Sequence, residues 1–364
     1  MGEYQLKIMN LDEAEDVKAI LESCEKADVH AHPDYLRVFQ NYTGHKAIYV
    51  YFWDGRNHIL IPYFERPVLL PGDSQFGPYI DLVSPWYFGG PIHNIKDSKL
   101  LHASFLKFIG RFNEHCRENG VVTEFQRLNP ILRNHELYPD AANVAYDRKI
   151  VYVDLTKSID RIHREYTRHT RKNINKAVRN RLRVYHDNSK EAISRFIEIY
   201  SKSMDRKNAE SFYYFNETFF RGLFEKLKDE ARLFQVEYEG KIICSSIELG
   251  RYGVLYDFLR GTDPQYILLR PNDILIDEVI KWGKSDGYRY FVMGGGSSPS
   301  EDDGLLRFKM SFSADTADFY TYKKIYNLKA YKELCRKSGK REQYLKYENA
   351  QFFPEYLQHK TGER

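Results

Sequence analysis

The sequence predicts an α/β (α+β) chain of two tandem domains, each a mixed, mostly antiparallel sheet flanked by helices. Three observations predict it. A strand hairpin, Lys46 to Ile61, turns at Asp54-Gly55, and its counterpart, Arg232 to Ile247, turns at Glu239-Gly240. A helix stops at Asn119-Gly120 before the apolar run Val121 to Phe125, and another stops at Asp286-Gly287 before Tyr288 to Val292. The paired glycines lie about 185 and about 167 positions apart, too long a period for a stacked solenoid. Duplication is the economical reading, with a substrate expected in a cleft between the lobes. The boundaries read as 1–148, 149–325, and a C-terminal helix with a charged tail over 326–364.

In order along the chain, Leu11, Ala14, Val17, Ile20 and Leu21 recur at helical spacing. A second helix starts with Pro33 in its first turn and carries Tyr35, Leu36 and Phe39. The hairpin follows and Pro62, Pro67 and Pro71 end it. The aromatic stretch from Phe76 to Ile92, with Trp86-Tyr87-Phe88-Gly89-Gly90-Pro91, is too rich in Gly and Pro for regular helix and either plugs a core edge or lines a pocket. A helix over 98–118 buries Phe105, Phe108 and Phe112 on one side. Ile150 to Leu155 reads as a strand, then a helix from Ile159 to Arg181. Two more helices, over 190–204 and 216–228, precede a meander of strands at 232–239, 241–249 and 253–260. A last helix opens after Arg270-Pro271 with Asn272 as its cap and runs to Ser285.

Composition excludes several classes. No stretch approaches ~18 uninterrupted apolar residues, and no basic region precedes an apolar one at the N-terminus, so the expectation is a cytoplasmic enzyme with no membrane span. Leu6 occupies the position where a myristoylation signal needs Ser or Thr. Cys24, Cys116, Cys244 and Cys335 are scattered without paired spacing, and no histidines show two-ligand spacing, so neither disulfides nor a metal is expected. The 29 tyrosines read mainly as amphipathic strands with wet rims.

The net charge is only +4, so its distribution carries the argument. Between Ile159 and Arg181 an apolar stripe, Ile159, Ile162, Tyr166, Ile174, Ala177 and Val178, keeps helical register. Arg161, Arg164, Arg168, Arg171, Lys172, Lys176 and Arg179 fill another side, opposed by Asp160 and Glu165 alone. A solvated face usually mixes signs in i,i+4 pairs. A single-sign face repels itself unless an anion compensates it, which points to tRNA, a nucleotide diphosphate or CoA. Gly294-Gly-Gly-Ser-Ser-Pro lacks the Gly-Lys-Ser/Thr ending of a nucleotide-hydrolysing loop and reads as a strand exit passing close to a bound donor.

Meander, helix and one further strand is the pattern of an acetyltransferase-like half-domain, whose helix N-terminus offers free N–H groups to a pyrophosphate. The stretches Thr167-Arg-His-Thr-Arg-Lys-Asn-Ile-Asn-Lys176, Tyr256-Asp-Phe-Leu-Arg260-Gly, Arg270-Pro-Asn-Asp-Ile-Leu, Gly294-Gly-Gly and Gly304-Leu-Leu-Arg-Phe308-Lys309-Met-Ser-Phe add to it. Together they resemble the FemAB-like branch of the GNAT superfamily, tandem-GNAT proteins that include the aminoacyl-tRNA-dependent peptidoglycan bridge-forming transferases. The resemblance spans roughly 150–325 and is fainter earlier, where it rests on His32-Pro-Asp-Tyr35 and Ser84 to Pro91.

That resemblance implies transfer of an acyl or aminoacyl group to an amine of a nucleotide-sugar, peptidoglycan precursor or similar metabolite. The co-substrate is aminoacyl-tRNA, preferred because of the basic 161–179 face, or acetyl-CoA or another acyl-CoA, with no tightly bound cofactor. It places Phe308 and Lys309 beside the activated donor, the ammonium steadying a tetrahedral oxyanion or phosphates. Arg168, Arg171, Lys172, Lys176, Arg270 and Asn272 face donor phosphates, while Tyr256, Arg260, Trp86 and Tyr87 face substrate. Asp257 and Glu248 are the carboxylates available as general base, yet ideal alternation points Asp257 away from Tyr256 and Arg260. Two departures stand out. The Arg/Gln-x-x-Gly-x-Gly/Ala signature of ordinary acetyl-CoA enzymes is absent, and no charged heptad arm is inserted. A non-catalytic RNA- or polyanion-binding protein on the same fold is the alternative of another class.

Overall fold

The structure, a computed structural model, describes residues 4–68, 78–209, 211–339 and 353–357. Pro71 and the start of the aromatic stretch at Phe76, like most of the charged tail, lie outside the described residues. The chain divides into two units, Met1–Asp147 with Asp318–Arg364, and Arg148–Ala317. The sequence reading ends its second domain at 325 instead. The physical reason for the difference is strand pairing, because the segment from Asp318 onward completes the sheet of the first unit.

The first unit contains β1 (Gln5–Asn10), α1 (Ala14–Glu22), α2 (Pro33–Thr43), β2 (Lys46–Trp53), β3 (His58–Pro67), β4 (Ile80–Val83), β5 (Ile92–His93), α3 (Ser98–Glu118) and β6 (Val121–Leu128). The strand β7 (Val144–Asp154) passes into the second unit. There follow α4 (Ile159–Glu165), α5 (Arg168–Arg179), β8 (Arg183–His186), α6 (Lys190–Lys207), α7 (Glu217–Leu227), β9 (Ala231–Tyr238), β10 (Lys241–Arg251), β11 (Val254–Thr262), α8 (Pro271–Ser285), β12 (Tyr290–Gly294) and α9 (Gly304–Met310). The strand β13 (Thr316–Ile325) and α10 (Leu328–Lys337) return to the first.

The strand order is β1-β2-β3-β4-β6-β13 in the first unit, with β5 beside β3, and β8-β9-β10-β11-β12-β7 in the second. In both, the fourth and fifth strands run parallel, β4 with β6 and β11 with β12, and the sixth is antiparallel to the fifth. A parallel pair requires a crossover, and α3 and α8 supply it. The duplication read from the glycines is therefore a duplication of topology. The Glu239-Gly240 turn has φ of +49° and +77°, the two left-handed positions of a two-residue hairpin turn.

Packing rather than capping fixes where the helices lie. Phe105, Phe108 and Phe112 of α3 are all at most 1% exposed against β-strand residues such as Phe52 and Tyr63. Each contributes about 1.5–3 kcal/mol, against about 1 kcal/mol for the Asp97 cap on the Leu100 amide. In the second unit Leu275, Val279 and Ile280 of α8 pack with Val236, Ile243, Leu255 and Phe291 of the sheet.

The expected single helix from Ile159 to Arg181 is two. The chain is extended at Tyr166 and Thr167, and the Thr167 hydroxyl accepts from the Thr170 amide at 3.2 Å to start α5. Thr170, Asn173 and Ala177 form the buried side of α5, whereas Val178, placed in the apolar stripe by spacing, is 58% exposed. In the first unit, α10 buries Ala330, Tyr331, Leu334 and Cys335, so the C-terminal helix is a packed one. Tyr356 donates to the buried Asp81, which also accepts from Thr123 and Arg66.

Candidate active site

The chemistry-bearing residues of the second unit gather around β10, β11 and α9. The decisive local feature is an irregularity in the β10–β11 ladder. Ile247 pairs with Leu259 but Glu248 pairs with Asp257, leaving Phe258 as an extra residue. Such a bulge puts two residues opposite one and resets the alternation. Asp257 and Arg260 thereby come to one face, where ideal alternation sets them apart. Arg260 Nη2 donates to Asp257 Oδ2 at 2.8 Å. Their side chains are 14% and 11% exposed, so the pair is shielded but reachable. Burial works against the Arg260 cation, and the neighbouring Asp257 and Glu248 more than offset it, raising its pKa.

Glu248 itself has no exposed surface. Burial, then the charge of Asp257, pushes its carboxyl well above the usual range, with Arg260 and Ser246 opposing.

Lys309 lies on the short helix α9. Asp303 starts it by accepting from the Leu305 and Leu306 amides at 2.9 and 3.0 Å. The same carboxylate accepts from Ser297 Oγ at 2.5 Å and the Ser298 amide at 3.1 Å, and these bonds, led by Ser297, hold it well below its ordinary value. Asp303 thus ties the glycine run to the helix that carries Lys309. A Cβ on Gly296 would come within 2.6 Å of the Asp303 carboxylate, so this glycine is there for contact inside the protein. Lys309 Nζ donates to the Gly295 carbonyl at 2.7 Å. Burial pulls the ammonium down to about 8, with Asp257 and Asp303 opposing and Arg260 and Lys207 adding to the fall. Phe308 packs against the core and meets Phe312 edge to face at 5.5 Å.

Other expected site residues are placed differently. Tyr256 is wholly buried, pairing with Leu249 and Val292, and has no surface to offer a substrate. Trp86 and Tyr87 lie in the first unit within an aromatic cluster. Tyr35 donates to the Trp86 carbonyl at 2.6 Å, and His30 stacks on Tyr87 at 5.1 Å. Arg171, exposed on α5, bends back along its own segment and donates to the carbonyls of His163, Arg164 and Tyr166 where α4 ends. Arg168, Lys172 and Lys176 are exposed on α5. Asn272 does not cap α8. Its Oδ1 accepts from Thr262 Oγ1 at 3.0 Å, and Arg270, in the left-handed region at φ +66°, precedes the first helical residue. Arg270 Nε is buried without a hydrogen-bond partner among the described residues. Beside it, Asp273 accepts from Asn173 Nδ2 at 2.9 Å, joining α8 to α5.

Sequence reasoning missed Asp303 and its serines, although Asp before Gly-Leu-Leu is itself a helix-start signal. Cys24, Cys116 and Cys244 are free thiols. Among the described residues no group of three His, Cys, Asp or Glu is arranged to hold a metal ion, and no helix is long and apolar enough to cross a membrane.

With this geometry in view, residues 164–310 match the family model described as Acetyltransferase (GNAT) domain. The second unit carries a GNAT domain, and the fold of the chain is FemAB-like. The structure of FemX is similar at a TM-score of 0.68 and 13% identity, over 90% of this chain and 99% of that one. The C-terminal domain of a putative lysylphosphatidylglycerol synthetase from Agrobacterium fabrum is similar at 0.55 and 13%, over 87% and 92%. A conserved protein of unknown function from Bacteroides thetaiotaomicron is similar at 0.56 and 11%, over 88% and 99%. No curated protein matches the sequence. The matched GNAT segment contains Asp257, Arg260 and Lys309 and excludes Trp86 and Tyr87.

Proposed function

We propose that the protein is an N-acyltransferase that moves an acyl group from an acyl-CoA to an amine. The observation that carries this reading is the bulge at Phe258, which sets Asp257 against Arg260 in the electrostatic field of Lys309. Asp257 takes the proton of the acceptor ammonium, freeing the nitrogen lone pair. That nitrogen bonds to the thioester carbon. Lys309, held by the Gly295 carbonyl, faces the oxygen that becomes negative, and such donors are worth about 2.7–4 kcal/mol of barrier. As the C–S bond breaks, the sulfur leaves with its electron pair and takes a proton from Lys309, whose pKa of about 8 suits that donation. The neutral lysine then takes the second proton of the acceptor nitrogen, leaving a neutral amide, and Asp257 returns its proton to solvent. Arg270, which precedes α8 and whose Nε has no partner among the described residues, is suited to the CoA pyrophosphate. For the acceptor, the resemblance noted in the sequence favours an amine on a nucleotide-sugar or peptidoglycan precursor.

One observation favours a second donor. Arg168, Lys172 and Lys176 stand exposed on a helix without acidic residues, as contact with the backbone of an aminoacyl-tRNA would require. The test is one mass-spectrometric screen in which acyl-CoAs and charged tRNAs are offered separately against a pool of amino sugars, nucleotide-sugars and peptidoglycan precursors. Acylated product is expected from acyl-CoA and is expected to vanish in Lys309→Ala. Product from tRNA alone replaces the donor, and none from either sinks the reading.

A further inference from the structure

Acyl transfer as described leaves one buried group without a task. Glu248 sits at 0% exposure in β10, and the bulge sets Asp257 directly across from it. Ser246 Oγ donates to Glu248 Oε1 at 2.6 Å, while Oε2 has no hydrogen-bond partner among the described residues. Two carboxyls therefore face one guanidinium, that of Arg260. The neighbour of Glu248 on the other side, Arg232 of β9, is turned to the carbonyls of Lys228 and Ala231 and to Asp229. Lys309 from α9 and Lys207 from α6 act on Asp257 and Arg260. Ionised, Glu248 would hold a charge with no exposed surface, a single hydrogen bond and no ion-pair partner among the described residues, and a protein relieves this by keeping a proton.

We infer that Glu248 is a positioning residue that carries the one proton of the Glu248–Asp257 pair, leaving Arg260 wholly to an ionised Asp257. The proton on Glu248 stays there through the reaction. When the acceptor ammonium reacts, its N–H bond breaks and an O–H bond forms on Asp257, so the two carboxyls have separate duties. This assignment of Asp257 rests on the acyl-transfer reading, whereas the proton on Glu248 does not. Burial and the adjacent charge both act in that direction.

The test needs no substrate. Infrared spectra of the full chain at neutral pH are compared for wild type and Glu248→Gln. A protonated-carboxyl C=O band is expected in wild type and missing from the variant, and Glu124, present in both, cancels. Asp257→Asn removes the adjacent negative charge, so that band is expected to disappear at lower pH than in wild type. Thermal unfolding supplies a second readout. A carboxyl raised in the folded state binds more protons folded than unfolded, so its contribution to stability falls as pH rises from its unfolded value. Glu248→Gln should therefore gain on wild type between pH 5 and 8. Identical spectra, or a variant that loses ground over that range, would overturn the inference. A failed donor screen with the band present would overturn only the acyl-transfer reading.

Discussion

Glu124 in the first unit and Glu248 in the second are both buried carboxyls, 2% and 0% exposed, and burial raises both. Their surroundings differ. Glu124 accepts from Tyr63 and Gln126 at 2.5 Å on one oxygen and from Tyr326 at 2.6 Å on the other. Glu248 has Ser246 on one oxygen and, among the described residues, nothing on the other. The network around Glu124 extends through Gln126 to Tyr138 at 2.7 Å and ties four segments of the first unit together. A carboxyl saturated by donors is a structural joint. One left half-satisfied beside a salt-bridged Asp257 belongs to a site where a proton has to be managed.

The comparison is broken or sharpened by substitution. Lys309→Ala should lower turnover by about 100- to 1000-fold with the melting temperature nearly kept, measured by steady-state kinetics and calorimetry; a variant that still turns over removes the second unit's claim to the chemistry. Glu124→Ala leaves Tyr63, Gln126 and Tyr326 without their acceptor and should cost about 3 kcal/mol, read as a lower urea midpoint. If Glu248→Gln costs as much at neutral pH, the contrast between the two carboxyls fails. The Lys309 ammonium is lost as pH rises through about 8, so turnover should decline there. A rise over that range would assign the free amine, rather than the cation, to the reaction. Smaller is Arg171→Ala, expected to cost about 1 kcal/mol through the carbonyls it caps. Lys172→Ala should leave the urea midpoint in place and change only the salt dependence of anion binding.

What could be read in the sequence was periodic or punctuated. The hairpins announce themselves through Asp54-Gly55 and Glu239-Gly240, and α3 and α8 through apolar spacing and a glycine stop. The edge strands β1 and β8, of 6 and 4 residues, were not legible because alternation over so few positions is indistinct. The break at Tyr166 was hidden by a stripe that keeps helical register across it, although Thr167 and Thr170 supply a cap signal. Part of the site, Phe308-Lys309 with Asp257 and Arg260, was picked out by residue type and resemblance. Their joint geometry was not, because a bulge at an apolar residue such as Phe258 leaves no trace in composition. Nor does spacing reveal that Tyr256 is interior or that Arg171 is spent on its own backbone.

The return of β13 to β6 has a bearing on biosynthesis. A ribosome releasing this chain has emitted every other strand of the first unit long before Thr316 appears, and until then β6 presents unpaired amide and carbonyl groups along that side. Arg148–Ala317, by contrast, is one uninterrupted stretch. Expressed as fragments, Arg148–Ala317 is expected to be soluble, whereas 1–147 alone should aggregate unless β13 is supplied in trans or fused by a linker.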